Sequence, residues 1–203
     1  MSEQLENLKN SIKKIKDKDF GIYFFTLDTK GNPTAGVATI YEHVKKLREL
    51  GYNAQILHDK DDSKLREDEN GIGLAEWLGD EYAELPHISI ESQKLQVGPQ
   101  DFVIIPEAFA SVMKQTKDFP CKRVVFLQAY EYIFEMLEIG EGWDQFNIRD
   151  VITTNKNLTD YVRTIFRGTF TEEIPLAIPE YFKDSDKPKV PTIAMSARDK
   201  REL

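Results

Sequence analysis

Four groups of residues in the 203-residue sequence have the types and spacing to do chemistry. The first is Gly31-Asn32-Pro33-Thr34-Ala35-Gly36, with the two glycines of a phosphate cradle directly ahead of a helical pattern. At a helix start, free backbone N–H groups and the helix dipole favour an anion or a sugar hydroxyl. The Lys-Ser/Thr of a triphosphatase loop is missing, because Val37 and Ala38 stand there, and the spacing is not Gly-x-Gly-x-x-Gly. The same small residues would also serve a plain strand-to-helix turn. The second is Glu107, which follows Pro106 at the end of an apolar run. A carboxylate there could accept a hydrogen bond from a substrate hydroxyl or act as a base, or simply be an acid favoured by a helix dipole. The third is Gln128 with Tyr130 and Tyr132, an amide and two phenols able to donate and accept at a polar ligand. An ordinary loop with tyrosines packed at its edge has the same composition. The fourth is Thr153-Thr154-Asn155, where a strand pattern gives way to a helical one; capping and a ligand role both fit.

Other chemistry is excluded. The only cysteine, Cys121, lies beside Pro120, so there is no internal disulfide, no cysteine-based zinc site and no obvious histidine partner for a thiol nucleophile. His43, His58 and His87 are scattered without a His-x-x-x-His pair, and no Gly-x-Ser-x-Gly is present. Gly71-Ile72-Gly73 follows a charge run and reads as a loop.

The elements that must position these groups follow from periodicity. Residues 3–16 read as a helix with Leu5, Leu8, Ile12 and Ile15 on one face. The continuous apolar run 20–25 reads as a buried strand, 26–36 as a loop, 37–50 as a helix stopped by Gly51, and 53–58 as a second strand. That is the βαβ unit of a parallel sheet. Beyond the charged stretch 59–70, the pattern predicts a short helix at 73–79, an edge strand at 87–90 and strands at 101–106, 122–128 and 150–154. Helices are expected at 107–116, 131–137 and 155–166, and a last short strand within 171–179. The fold class is α/β, a doubly wound parallel sheet of Rossmann-like type. Ligands of such sheets bind beyond the carboxyl ends of the strands, which selects the loops 26–36, 106–109, 128–132 and 153–157. A polar, proline-bearing stretch at 180–189 precedes a new strand pattern at 190–197. The expected division is a Rossmann-like domain over 1–187 and, over 188–203, a linker with the first strand of a second domain.

A net charge of −8 argues against a general nucleic-acid or anionic-membrane binder. No apolar run approaches 18 residues, and the first ten residues lack a secretory core. The expectation is a soluble, cytoplasmic globular chain, and the terminal Lys-Arg-Glu-Leu is read as chance resemblance to a retention signal.

Five segments, taken in order, resemble the amino-terminal domain of a GT-B glycosyltransferase of the family-four-like retaining group. AGVATIYEHVKKLRELGYNAQILH is similar to that group's glycine-rich loop, helix and second strand. DFVIIPEAF is similar to the strand before the interdomain cleft, and RVVFLQAY to a variant of Phe-Asn-Gln-Asn-Tyr. VITTNKNLTDYVRTIF resembles its strand and following helix, and IPLAIPEYFKDSDKPKVPTIAMSARDK the crossover into the second domain. The likeness spans about 20–203. The departures are Ala35 for the first glycine of the pair, Leu127 and Ala129 where asparagines are common, and Ser196-Ala197-Arg198 for Pro-Arg, with Lys200 one residue late. Gln128 stands where the mainstream group has a cleft histidine, which preserves a hydrogen-bonding role and puts a base role in doubt. The resemblance implies two facing Rossmann domains, this one being mainly the acceptor half. It implies a nucleotide-sugar as co-substrate, and neither a metal nor a further cofactor. Gly36 would approach the donor phosphates or the acceptor, Gln128 and Tyr130 would line the acceptor side, and Arg198 and Lys200 would contact the donor diphosphate; Glu107 and Thr154 join the acceptor set from their places at strand ends. The expected function is sugar transfer to a glycan or other small acceptor, with little activity from these 203 residues alone. The alternative is a non-catalytic binding or structural module with a degenerate Rossmann-like fold, its partner face along Leu5, Leu8, Ile12 and Ile15. The lack of Gly-x-Gly-x-x-Gly argues against a nucleotide-dependent epimerase or dehydrogenase. The sequence specifies no oligomeric state.

Overall fold

The computed structural model describes residues 20–27, 34–58, 76–79, 82, 84–90 and 95–176. The expected helix at 3–16, the charged stretch at 59–70, the linker and second-domain strand beyond 187, and both Arg198 and Lys200 lie outside the described residues.

Runs of β-branched, leucine and aromatic side chains form seven strands: β1 Gly21–Phe25, β2 Asn53–His58, β3 His87–Ser89, β4 Phe102–Pro106, β5 Lys122–Leu127, β6 Asp150–Thr153 and β7 Phe170–Glu173. They pair in the order β3-β2-β1-β4-β5-β6-β7, every pair parallel. The chain builds outward from β1 to β3, then returns to the other side of β1 to lay down β4. The switch in direction falls between β1 and β4. Crossovers in parallel sheets share one hand, so the helices before and after the switch lie on opposite faces.

The core shows this division. Helix α1 (Ala35–Glu49) buries Val37, Ile40, Tyr41 and Val44, a stripe at helical spacing, against Phe24, Ile56, Ile104 and Phe126. The opposite face holds Phe25, Leu57, Val103, Ile105, Val125 and Leu127. They pack against Met113 of α2 (Ala110–Gln115) and against Leu158 and Val162 of α4 (Lys156–Ile165). A third helix, α3 (Glu131–Met136), follows β5. Gly51, at φ 86°, ends α1, with its N–H on the Arg48 carbonyl and that of Tyr52 on Leu47.

Three segments differ from the periodicity, the first being 73–79, where the described residues hold only a 3₁₀ turn over Glu76–Leu78. The helix expected from Glu107 starts only at Ala110, because the β4 end at Pro106 is followed by a tight turn in which the Phe109 N–H returns to the Pro106 carbonyl. A 3₁₀ turn, Trp143–Phe146, was not anticipated. Its four residues are too few to show a period. They nevertheless carry Trp143 and Phe146 into the core, and Asn147 closes the turn in the left-handed region at φ 59°. Buried Arg123 of β5 ties this turn to α2, donating to the carbonyls of Met113, Lys117 and Phe146. Among the described residues no helix is long and apolar enough to cross a membrane.

Candidate functional site

The carboxyl ends of β1, β4, β5 and β6 and the start of α1 form one crest of the sheet, centred on the switch between β1 and β4. The first intrahelical bond of α1 runs from the Ala38 N–H to the Thr34 carbonyl, so the amides before it have no partner within the helix. Gln128, the first residue past β5, reaches this helix start, its Nε2 donating to the Gly36 carbonyl at 3.3 Å. A Cβ on Gly36 would meet the Gln128 amide at 3.5 Å, an ordinary contact, so packing against Gln128 does not itself demand glycine. Two residues 92 positions apart, chosen from sequence for different reasons, therefore touch.

Glu107 is 3% exposed. Its Oε1 accepts the Ala129 N–H at 2.8 Å, while the buried Oε2 has no hydrogen-bond partner. Burial pushes this carboxyl above its usual 4.5, against the backbone N–H groups of Ala129, Glu107 and Gln128, and the Glu131 charge adds to the rise. The dipole explanation for Glu107 fails, because α2 starts three residues later and has no acid in its first turn. Instead the side chain buttresses the β5–α3 loop with one oxygen and leaves the other unused. Leaving a buried polar atom unpaired is costly, and this one sits at the crest where α/β sheets bind ligands.

Thr26, directly after β1, is 1% exposed and its Oγ1 is likewise unpartnered. Its backbone N–H bonds the Leu57 carbonyl and extends the ladder. The sequence pattern puts Thr26 in the loop 26–36. The available signal was a hydroxyl immediately ending an otherwise apolar strand.

The remaining candidates separate. Tyr130 precedes α3 without a capping side-chain bond, is half exposed, and lies ring to ring with Tyr161 at 6.0 Å between centroids. Thr153 is occupied within the fold, bonding the Thr159 hydroxyl, and Asn155 caps α4 by accepting from the Leu158 N–H at 3.0 Å. Thr154 is buried beside them at the β6 end, one strand beyond Gln128. Gly36, Gln128 and Glu107 are thus joined through direct bonds and the Gln128–Ala129 peptide, Tyr130 continues the same loop, and Thr154 stands apart.

The histidines lie elsewhere. His58 Nε2 and His87 Nδ1 share a hydrogen bond of 2.9 Å between nearly parallel rings at the far side of β1. Burial, with His87 adding, pushes His58 down to about 3, so it is neutral at ordinary pH. His43 donates from Nδ1 to the Thr39 carbonyl and packs edge-on over Phe126. Among the described residues no three metal-ligating side chains cluster. Compared with known proteins, the chain matches no family model, and no curated protein or solved structure is significantly similar to it.

Proposed function

We propose that this chain is the acceptor-binding half of a glycosyltransferase that uses a nucleotide-sugar donor. The observation that carries the reading is the unpartnered Oε2 of Glu107, held at the switch-point crest beside the Gly36–Gln128 pair. A polyhydroxylated acceptor supplies what that crest lacks. Its hydroxyls can exchange bonds with the Gln128 amide, which makes a 3.3 Å bond to Gly36, and can donate to Glu107 Oε2 once the groups that bury it give way. Ionised, Glu107 draws the proton of a bound hydroxyl; neutral, it donates to a sugar oxygen. The amides at the start of α1, which have no partner within the helix, suit the negative charge that develops on a leaving diphosphate. Such stabilisation requires no metal, in keeping with the sequence resemblance. Arg198 and Lys200 remain the expected diphosphate contacts of the second domain.

The test is transfer from a panel of nucleotide-sugars by the natural full-length protein, comparing Gln128→Ala and Gly36→Val with the parent. The expected result is donor-dependent transfer, reduced about tenfold by Gln128→Ala, as loss of one ligand hydrogen bond implies. Gly36→Val, which puts a branched side chain at the helix start, should cost at least as much. Ligand binding with no transfer by the full-length protein would instead assign the chain to the non-catalytic class.

A further inference from the structure

Below the crest, on the α2/α4 face of the sheet, a groove of about 570 Å³ runs between α3, the loop after it and the end of α4. That volume is typical of small-molecule sites. Its lip carries large apolar side chains that the fold leaves in water: Phe134 is 68% exposed, Ile165 56%, and Ile139 fully exposed. Its inner wall is Trp143, stacked on Phe166 at 4.2 Å. Single exposed apolar residues need no explanation, but a contiguous set around a cavity does. The set is also continuous with the crest. Tyr161 contacts Phe134 at 6.2 Å and Tyr130 at 6.0 Å, and Tyr130 lies two residues after Gln128. An apolar lane therefore leads from the groove to the group of residues assigned to the acceptor.

Charge narrows the occupant. Glu138, Glu141, Asp144 and a single cation, Arg167, line the groove, and Glu131 and Glu135 stand on the helix above it. Lys114 is already paired with Glu141 at 2.9 Å. Acids still outnumber cations around the groove, so an anionic headgroup or an anionic membrane surface is disfavoured here. The arrangement suits a neutral molecule with a hydroxylated head and an apolar tail.

We infer that the groove seats the apolar tail of a neutral, amphiphilic acceptor whose hydroxylated head lies at Gln128 and Glu107. This rests on the acceptor reading above and narrows it to a class of substrate.

Trp143 provides the readout. The sequence has two tryptophans, so Trp77→Phe leaves Trp143 as the reporter. Fluorescence titrations with methyl, butyl, hexyl and octyl glucosides, all below their critical micelle concentrations, give the affinity as a function of tail length. Affinity should rise about fourfold per methylene. The rise should vanish in Phe134→Ser/Ile165→Ser, whose exposed positions cost the fold little. An affinity independent of tail length, or a double variant that keeps the dependence, overturns the inference. So does wild-type self-association that Phe134→Ser abolishes, which would make the face a contact between copies. Efficient transfer by the full-length protein to a tail-less sugar, with no gain from an octyl tail, would overturn the groove assignment while keeping the transferase reading. Tail-dependent binding without any transfer would keep the amphiphile site and remove the transferase reading.

Discussion

Two buried titratable residues show how the same burial serves different ends. Glu107 has one oxygen in a 2.8 Å bond to the Ala129 N–H and the other unpaired. Its pKa is raised, so its ionised form costs stability as pH rises above the carboxylate's usual 4.5. Glu107→Gln keeps an acceptor for Ala129 and removes the buried charge. Urea denaturation at pH 7 should find this variant at least as stable as the parent, with the difference closing below about pH 4.5. Glu107→Ala, which strands the Ala129 N–H, should lose about 1–3 kcal/mol. A residue whose conservative replacement stabilises the fold is one retained for something other than stability. His58 works in the opposite sense. Its folded pKa of about 3 lies below the ordinary 6.5, so its contribution to stability is complete above pH 6.5 and is lost as pH falls toward 3. Denaturation curves from pH 7 to pH 4 should lose about 1.4 kcal/mol per pH unit from this residue once below 6.5. His58→Phe should flatten that slope.

At the scale of elements, the joints matter more than the strands. Arg123 occupies a strand position, yet its guanidinium holds the end of α2 and the 3₁₀ turn together through three carbonyls. Arg123→Met fills most of the volume and removes every donor. It should cost about 2–3 kcal/mol in chemical denaturation, the penalty for leaving buried acceptors unmet. Arg123→Lys should recover only part, because an ammonium cannot span a forked set of carbonyls. Strands such as FVIIP and KRVVFL were legible because continuous apolar runs have one use in an α/β chain, and α1 because its buried stripe keeps a strict helical period. The Trp143–Phe146 turn was not legible, since its core role comes from two aromatic side chains brought in by glycines and a left-handed Asn147. Arg123 was not legible either, because its partners are carbonyls of segments brought near only by folding.

In the whole molecule, the candidate site is a consequence of strand order. Gly36 lies past β1, Glu107 directly follows β4 and Gln128 directly follows β5; parallel pairing puts these ends on one edge, and the reversal of winding sets β4 and β5 beside β1. The general rule for α/β sheets therefore located the crest from sequence. Thr26 was missed because its significance is an unpaired, buried hydroxyl, a property of packing rather than of residue type. Tyr130 is a candidate from the sequence for its phenol after β5, but its ring contact with Tyr161 emerges only from the fold. The most direct test of the switch-point site is amide chemical-shift mapping of the chain during titration with a panel of methyl and alkyl glycosides. Perturbations should concentrate at Gly36, Glu107, Gln128 and Ala129 and weaken in Gln128→Ala. Saturable shifts confined to the β3 or β7 edge, or no saturable shift with any glycoside, would contradict it.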